Sequence, residues 1–480
     1  MMGVARETGR AFWTLSVAAS ALLLWAGACG GEPVVIGAQT CPVHPGGPPA
    51  VGPVPSAKQL EFQRMELVAY IHFGLATFDQ SPAAPAAGFN PTGVDTRQWV
   101  TALANAGFRM AVLVAKHYDG FCLWPSAYTD YSVAATPWRS GHGDLVREFS
   151  EAARAAGLRV GLYLSPWDEN FPSTSDGYEQ YLRNQLTELL SSYGPVSELK
   201  FPGNHAPATV DWAGVADLAH ALQPETLVWM GPEIATAGSD IRYVGNQTGV
   251  ADRSTSSVAD VPNGGPSNVW YPADAEVPDR SPGLWFWNAD SSVIPLNQMQ
   301  SIYFSTVGRN TTLMFNVAPA TTGLLDPQDL DLLRQFGTWY GNLYRTNLLR
   351  EQPVVADTTW ASAGFEATRA LDDDLCTSWA ADGAATSARL EVTPRAPITF
   401  TLISIREPIE AGERATAYHV ELRQNGLWNR APFDASGAPI VGTVIGQRQL
   451  WQLQPTTVDA IALVIDAARG APAIAEFGVY

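Results

Sequence analysis

The chain has 480 residues, which is too long for one ordinary domain and predicts two folded domains. Hydrophobic residues make up 46% of the sequence and charged residues 16%, a composition that suits a large buried core. The formal net charge of -18 disfavours nucleic acid and anionic membranes as partners, because an acidic surface repels both.

The first 29 residues have the pattern of an export signal. Arg6 and Arg10 precede an apolar run over residues 11–25, and small residues then lead to Cys29. The run is short for a membrane-spanning helix. We expect a lipoprotein-type signal in which Cys29 is lipidated, with ordinary cleavage and release as the alternative. Either outcome predicts an exported protein, at a bacterial cell envelope or secreted, that reaches the membrane only through a lipid.

Residues 30–58 are rich in Gly and Pro and predict a flexible tether. Three cysteines remain beyond the signal, namely Cys41, Cys122 and Cys376. Such an odd, sparse set does not indicate a disulfide framework. Its spacing also fits no zinc site.

Beyond the tether, short apolar runs alternate with helical patterns, as in repeated βα units. The predicted strands are 68–74, 110–115, 159–165, 196–201, 226–230, 241–244, 284–287 and 312–317. Eight such units predict a (β/α)8 TIM barrel over residues 59–349. After Leu349 the helical periodicity stops and short β-rich runs predict an antiparallel β-sandwich over residues 350–480.

Residues 116–124, with the sequence KHYDGFCLW, follow the second predicted strand. A cation, an imidazole, a carboxylate and two aromatic rings therefore stand at the carboxyl end of a buried strand, where barrel enzymes keep their sites. The alternative is that His117 and Asp119 only satisfy each other in a packed loop.

The barrel resembles glycoside hydrolase family 29, the α-L-fucosidases, and is nearest to the branch that cleaves α-1,3/1,4-linked fucose. The KHYDGFCLW stretch answers to the family's Lys-His-His-Asp-Gly-Phe-Cys-Leu-Trp. The other matching motifs are Ile71-His72-Phe73-Gly74, Phe89-Asn90-Pro91, Tyr128-Thr-Asp-Tyr-Ser-Val133, Gly161-Leu-Tyr-Leu-Ser-Pro-Trp-Asp168, Trp270-Tyr-Pro-Ala-Asp-Ala-Glu-Val277 and Val307-Gly-Arg-Asn310. The resemblance implies a barrel backed by a β-sandwich, with fucose bound at the carboxyl ends of the strands.

The resemblance also implies which side chains contact the sugar. His72 and His117 follow the first and second strands and correspond to histidines that bind fucose hydroxyls. Tyr118 stands where the family has a second histidine. Trp124 and Trp167 are candidate walls of the site.

Both catalytic positions depart from the family's pattern. Retaining glycosidases need two carboxylates about 5–5.5 Å apart. The nucleophile position holds Pro202, which has no nucleophilic group, and the acid/base position holds Gln247, which cannot donate a proton to a glycosidic oxygen. Lys200 replaces the Trp of the nucleophile motif, and a lysine that faced the sugar would favour an acidic ligand.

The sequence therefore leaves two candidate functions. The first is a non-hydrolytic binder of a fucosylated or related glycan. The alternative is an active exo-α-L-fucosidase in which other carboxylates, with Glu233 and Asp240 as candidates, have taken over catalysis. No cofactor is predicted for the barrel, and the oligomeric state is not predicted.

In the C-terminal domain, residues 370–379 resemble a turn of discoidin-like, galactose-binding sandwiches. Such turns often hold a structural Ca2+ through carboxylate and carbonyl oxygens, which makes Asp372 and Asp374 candidate ligands. The alternative is a solvated acidic turn.

Overall fold

The computed structural model describes residue 41 and residues 46–81, 84–172, 175–281 and 283–480. The predicted signal and Cys29 lie outside these described residues. Within the described part of the chain, no helix combines the length and the apolar character that crossing a bilayer requires.

Eight parallel strands form a barrel. In chain order they are β1 Leu67–Ile71, β2 Met110–Lys116, β3 Arg159–Leu164, β4 Glu198–Phe201, β5 Leu227–Met230, β6 Arg242–Val244, β7 Ala273–Pro278 and β8 Thr312–Val317. The hydrogen-bonded order is β5-β4-β3-β2-β1-β8-β7-β6, and a bridge between Trp229 and Ile241 joins the two ends. The predicted (β/α)8 barrel is confirmed.

In the described part of the chain, seven α-helices accompany the barrel, and short side chains cap several of them. They are α1 Ala57–Met65, α2 Thr96–Asn105, α3 Leu145–Ala155, α4 Tyr178–Ser192, α5 Trp212–Leu222, α6 Leu296–Ser305 and α7 Pro327–Leu343. Asp95, Asp144 and Asp211 accept backbone N–H bonds at the starts of α2, α3 and α5, which fixes where each helix begins. Helix α1 contacts the amino ends of the strands, because Gln59 Nε2 donates to the carbonyl of Asp240.

The seventh predicted strand, 284–287, is wrong. The seventh barrel strand is β7, and Leu284 only forms an isolated bridge with Arg280. The error has a physical cause, since β7 carries Asp274 and Glu276 toward the barrel interior and therefore does not read as an apolar run.

Side chains alternate across the barrel wall. Leu199 and Phe201 of β4 pack in the layer between strands and helices. Tyr70, Tyr163 and Trp229 belong to a separate cluster inside the barrel. Lys200 shares the inward phase of β4, so the sequence pattern places its ammonium in the barrel interior.

The C-terminal domain consists of antiparallel sheets. One sheet contains Val354–Ala356, Ala388–Val392, Ala460–Ala468, Ala415–Gln424 and Leu427–Asn429 in hydrogen-bonded order, and Val441–Gly442 also pairs with Ala415–Gln424. A second sheet contains Gln449–Val458, Ile398–Arg406 and Glu476–Val479, and Trp379–Ala380 pairs separately with Ala473–Ile474. A predicted β-rich domain after the barrel is therefore confirmed.

The cysteine prediction is wrong, because Cys41 and Cys376 form a disulfide, while Cys122 is free and buried. The pairing could not be anticipated, since 335 residues separate the two positions. Part of the predicted tether also lies against the C-terminal domain. Val51 N donates to the carbonyl of Ala411 at 3.0 Å, so this part of residues 30–58 is not a free linker.

A buried ion-pair network joins the two domains. Glu66, which follows α1, contacts Arg406 Nη2 at 2.6 Å and Arg448 Nε at 2.8 Å. All three side chains are at most 6% exposed. Because a buried charge left unpaired is costly, this network favours one fixed arrangement of barrel and C-terminal domain.

Candidate functional site

His72 stands at the carboxyl end of β1, and two side-chain contacts fix its tautomer. Its Nδ1 lies 2.7 Å from Asn316 Oδ1, and Asn316 Nδ2 donates to the carbonyl of Trp285 at 2.8 Å. Because the amide nitrogen of Asn316 is committed as a donor, its oxygen accepts the His72 Nδ1–H. His72 Nε2 is thereby left as a hydrogen-bond acceptor.

His117 follows β2 and lies beside His72, with a ring-centroid separation of 5.8 Å. It packs edge-on against Phe286, at 4.9 Å, and 4.2 Å from the ring of Tyr118. Its Nδ1 is buried and has no hydrogen-bond partner among the described residues. An unpaired buried ring nitrogen is unfavourable unless a ligand or water completes it.

Both imidazoles are neutral at pH 7. Burial lowers the pKa of His72 to about 3, although the hydrogen bond that His72 donates to Asn316 opposes this shift, and the nearby charge of Lys200 lowers the pKa further. Burial, and then His72, hold the pKa of His117 well below its usual value. A neutral imidazole offers one donor and one acceptor, which matches a sugar hydroxyl.

Residues 116–124 do not form the self-satisfied loop considered as the alternative. Asp119 Oδ1 accepts the backbone N–H of Phe121 at 2.9 Å, and no hydrogen bond joins it to His117 among the described contacts. Burial raises the pKa of Asp119 to about 6, with smaller contributions from its neighbours. The stretch therefore brings His117 beside His72, while Asp119 fixes the backbone of the turn that follows.

Aromatic rings surround the two histidines. Tyr118 is 44% exposed, and Trp285 packs on His72 with ring centroids 5.1 Å apart. Tyr163 is stacked near His117 at 6.1 Å. Trp285 and Phe286 were missed as site residues, since their apolar run was assigned to a strand instead of to the loop after β7.

The assignment of Trp124 as a wall of the site is wrong. Trp124 is 1% exposed and packs in the layer between strands and helices. Its Nε1 donates to Glu188 Oε2 at 2.9 Å. Trp167, by contrast, is half-buried three residues after the end of β3, with its ring 5.6 Å from that of His205.

Lys200 sits in the barrel interior among carboxylates and is fully buried. Its Nζ lies 2.7 Å from Asp274 Oδ2, 2.7 Å from Glu276 Oε1 and 3.6 Å from Glu198 Oε1. The Glu276 contact has ion-pair distance without hydrogen-bond geometry, so Asp274 is the better-defined partner. Nζ also lies over the ring of Trp229, at 4.1 Å from its centroid.

These contacts correct the expectation that Lys200 binds substrate. A fully buried ammonium that already has carboxylate partners does not offer its charge to an acidic ligand. Burial lowers the pKa of Lys200, but the three carboxylates raise it more, so the group stays charged. Burial raises the pKa of Glu198 to about 7, which Lys200 only partly opposes.

The two positions that the resemblance links to catalysis follow β4 and β6. Pro202 follows β4 directly and is half-buried. Gln247 is exposed in the turn after β6, where Gly245, Asn246 and Gln247 all have positive φ, of 93°, 48° and 59°. Neither side chain can act as a nucleophile or donate a carboxylic proton.

Glu233 is the carboxylate that lies beside Pro202. It follows β5, is exposed, and its carboxylate covers Gly203 so closely that a methyl group on that glycine would collide with it. The carboxylate forms no hydrogen bond or ion pair with the described residues. It is therefore free to approach a ligand at the end of β4.

The suggestion of Asp240 as a substitute catalytic residue is wrong. Asp240 lies at the opposite, amino-terminal end of the barrel. Its Oδ2 lies 2.9 Å from Lys58 Nζ and 2.9 Å from His220 Nε2, and it accepts the backbone N–H of Val228 at 2.8 Å. It organises the start of β5 and cannot reach the mouth.

In the C-terminal domain, Asp372 and Asp374 act as turn acceptors. Asp372 accepts the hydroxyl of Thr377, and Asp374 Oδ1 accepts the backbone N–H of Cys376 at 3.0 Å. The described residues contain no group of three or more His, Cys, Asp or Glu that could hold a metal. Ca2+ binding here stays a prediction that would need further carbonyl oxygens.

Comparisons with known proteins agree with this geometry. The profile of the α-L-fucosidase family matches residues 72–342. The chain is 34% identical to α-L-fucosidase 1 of Arabidopsis thaliana over 89% of this chain and 87% of that protein.

Comparison with solved structures also finds α-L-fucosidases. The chain is similar to a Bacteroides thetaiotaomicron structure with a TM-score of 0.82, at 32% identity over 90% of this chain and 98% of that one. It is also similar to a Ruminococcus gnavus family 29 fucosidase in complex with fucose, with a TM-score of 0.82 and 26% identity over 92% and 97% of the two chains.

Proposed function

Because the chain belongs to the α-L-fucosidase family, glycoside hydrolase family 29, we propose that it binds fucosylated glycans in the barrel mouth without hydrolysing them. One observation carries this proposal. The pair of neutral imidazoles is intact, while Pro202 and Gln247 occupy the two positions where the family's catalytic carboxylates are expected.

The mouth suits a neutral deoxy sugar. His72 Nε2 can accept a hydroxyl proton, and the unpaired Nδ1 of His117 can complete a second hydrogen bond. Trp285 and Phe286 supply an apolar face beside them, against which a methyl group and C–H bonds can pack. We assign the ligand to glycans with terminal α-1,3- or α-1,4-linked fucose, on the resemblance to that branch.

Retaining hydrolysis needs a nucleophile and a proton donor in the same site, a geometry that is sensitive to about 1 Å. The side chain of Pro202 supplies neither function. Gln247 can hydrogen-bond a glycosidic oxygen but cannot protonate it. The expected consequence is a bound sugar that keeps its glycosidic bond.

An active fucosidase is the second candidate, favoured by the position of Glu233. Its unpaired carboxylate covers Gly203, the residue after Pro202, and could serve as a displaced nucleophile. A proton donor would still have to be recruited.

Two measurements on the purified protein test the proposal. With 4-nitrophenyl α-L-fucoside we expect no release of nitrophenol above background, and with L-fucose we expect measurable heat in titration calorimetry. The His117→Ala protein should lose the binding heat. Turnover that Glu233→Gln abolishes, while the exposed-carboxylate control Glu225→Gln retains it, would replace the proposal with the active alternative.

A gain-of-function variant sharpens the same test. Pro202→Asp combined with Gln247→Glu restores both carboxylates at the positions that the resemblance indicates. We expect the double variant to release nitrophenol, and each single variant to release far less. A double variant that binds L-fucose but never turns over would mean that the missing carboxylates are not what prevents hydrolysis.

We also propose that the protein is exported and lipidated at Cys29. The Cys41–Cys376 disulfide is consistent with an oxidising compartment. Labelling cells with a radioactive fatty acid should mark the wild-type protein and leave Cys29→Ala unmarked.

A further inference from the structure

A cavity of about 890 Å3 lies beside β6 between the barrel and the C-terminal domain. Three arginines line it: Arg242 of β6, Arg253 of the segment after it and Arg309 of the loop before β8. The opposite wall includes Asp434 and Ser436 of the C-terminal domain. We call this cavity the interdomain cleft.

Two of the arginines leave most of their donors unused. A guanidinium carries five N–H donors. Toward the residues that the structure describes, Arg242 donates only from Nε to the carbonyl of Tyr271 and from Nη2 to that of Ser256. Arg309 donates only from Nη1 to the carbonyl of Ala251, and its Nε is buried with no partner among the described residues.

Arg253 is held in place by packing. Its guanidinium lies 3.6 Å from the ring centroid of Trp451, and Nη1 donates to the carbonyl of Leu450 at 3.1 Å. Asp434 Oδ2 is 3.8 Å from Nη2, which is too long for a hydrogen bond. The remaining N–H groups of Arg253 are therefore available in a fixed orientation.

The cleft carries surplus positive charge in a strongly acidic chain. The carboxylates in its lining are Asp252 and Asp434, against three guanidiniums. Asp252 already accepts the backbone N–H and the hydroxyl of Ser254, and Asp434 Oδ1 accepts those of Ser436. Burial, followed by repulsion from Arg309, lowers the pKa of Arg253 to about 10, and the weaker opposing effects of Tyr418 and Asp434 do not offset this.

We propose that the interdomain cleft binds the oxyanion group of an acidic saccharide, either a sulfate ester or a carboxylate. Both groups accept paired hydrogen bonds from guanidinium forks. Gly245 and Asn246 line the cleft at the carboxyl end of β6, while Arg242 and Arg309 lie at the amino ends of β6 and β8, so the cleft runs along the outside of the barrel wall. The identification of the ligand as a saccharide rests on the proposed glycan-binding function.

Calorimetry on the full chain with three saccharides that lack fucose tests the cleft by itself. We expect lactose 3′-sulfate and 3′-sialyllactose, or one of them, to bind, and lactose to give no heat. Binding by only one of the acidic sugars identifies the oxyanion as sulfate or carboxylate. If lactose and both acidic sugars give the same binding heat, or if none of the three gives any, the proposal is overturned.

A matched pair of variants controls for folding. Val250 lines the cleft and is 48% exposed, so Val250→Asp adds a carboxylate there with little strain, and Val250→Asn adds a neutral group of the same shape. We expect Val250→Asp to weaken binding of the acidic sugar roughly tenfold, and Val250→Asn to leave it within about twofold. Equal affinities of the two variants would contradict a cationic cleft.

Removing a guanidinium gives an independent check. We expect Arg309→Gln to weaken binding roughly tenfold, since it removes donors that approach a charged acceptor. The control is Arg97→Gln, which removes the same charge at an exposed arginine of α2 that does not line the cleft. We expect its affinity for the acidic sugar to equal that of the wild type. An Arg309→Gln protein that binds L-fucose and the acidic sugar like the wild type would refute the assignment.

The same titrations separate this proposal from the proposed function. His117→Ala should lose L-fucose binding and keep binding to the acidic sugar. Loss of L-fucose binding in the wild-type protein, with intact binding of the acidic sugar, would refute the mouth as a fucose site and leave the cleft standing. The reverse result would refute the cleft alone.

Discussion

Two fully buried lysines, on barrel strands β2 and β4, differ in the number of carboxylates around them. Lys116, at the end of β2, contacts one carboxylate, with Nζ 2.8 Å from Asp168 Oδ2 and 2.9 Å from Gln185 Oε1. Lys200, in β4, faces the three carboxylates of Glu198, Asp274 and Glu276. The first lysine is in charge balance, and the second lies in a cluster with an excess of negative charge.

The carboxylates around the two lysines also differ in how many hydrogen-bond donors they have. Asp168 Oδ1 accepts the backbone N–H groups of Asn170 and Phe171, and Oδ2 accepts the hydroxyl of Tyr181 in addition to Lys116. Both oxygens of Glu198 are buried without a hydrogen bond among the described residues. Lys116 therefore belongs to a saturated network, and the Lys200 cluster is where stability should respond to pH and to substitution.

The largest expected effect is that of Lys200→Met. Removing this cation leaves several buried carboxylates unpaired, and we expect a loss of about 3–5 kcal/mol in the free energy of unfolding at pH 7. Lys116→Met should cost less, because Asp168 keeps its other donors. Urea denaturation of both variants measures the difference. An equal or larger loss for Lys116→Met would break the comparison.

The next effect is a gain in stability from Glu198→Gln at high pH. The pKa of Glu198 is about 7 in the folded protein and 4.5 in its ordinary state. Since the folded state holds the proton more tightly, this stabilising contribution is complete below about pH 4.5 and is lost as the pH rises through about 7. The variant should match the wild type near pH 4.5 and exceed it by about 3 kcal/mol at pH 8.

His72 acts in the opposite direction, because its pKa is lowered to about 3 and protonation destabilises the fold as the pH falls. The informative quantity is therefore the difference between variant and wild type, measured by urea denaturation from pH 5 to pH 8. A difference that stays constant across this range would contradict the titration of Glu198.

A smaller effect is expected from Trp229→Phe. The indole Nε1 donates to Asp274 Oδ1 at 3.0 Å, so the substitution removes a donor from the cluster that lacks donors. We expect a loss of about 1.5–3 kcal/mol, as for hydrogen bonds to charged groups. Thermal unfolding at pH 7 measures this loss. If the substitution leaves stability unchanged, Asp274 needs no hydrogen-bond partner besides Lys200.

The smallest effect is expected from Tyr181→Phe, its counterpart in the saturated network. The hydroxyl donates to Asp168 Oδ2 at 3.2 Å, but that oxygen also has Lys116. We expect a loss of about 1 kcal/mol. The same thermal scans compare the two variants. If Tyr181→Phe loses more stability than Trp229→Phe, the network around Lys116 does not tolerate the loss of a donor better than the Lys200 cluster does.

The sequence predicted the parts of the fold that depend on local periodicity. Apolar strands such as β2 and β3 stood out because both of their faces are buried. Strand β7 did not stand out, since Asp274 and Glu276 interrupt its apolar pattern. Their partner Lys200 lies on β4, 74 residues before Asp274. An ion-pair cluster inside a barrel is a property of the closed sheet and leaves no local signature.

The site was predictable where a residue follows a strand directly. His72 and His117 were located from their position after β1 and β2, and the structure brings their rings together. Trp124 was misplaced because closeness in a motif does not say which side of the barrel wall a ring occupies. Successive residues of a strand point to opposite faces, so the apolar Leu199 and Phe201 already indicate that Lys200 faces the barrel interior. The sequence does not indicate which carboxylates it meets there.

The Cys41–Cys376 disulfide closes a covalent ring that contains the entire barrel, since every barrel strand lies between the two cysteines. A protease that cuts any one loop of the barrel therefore opens the ring without producing a separate fragment. On a denaturing gel, such a nicked chain should migrate as one species until a thiol reductant is added. Outside the cell, this linkage would hold a damaged molecule together as a single body.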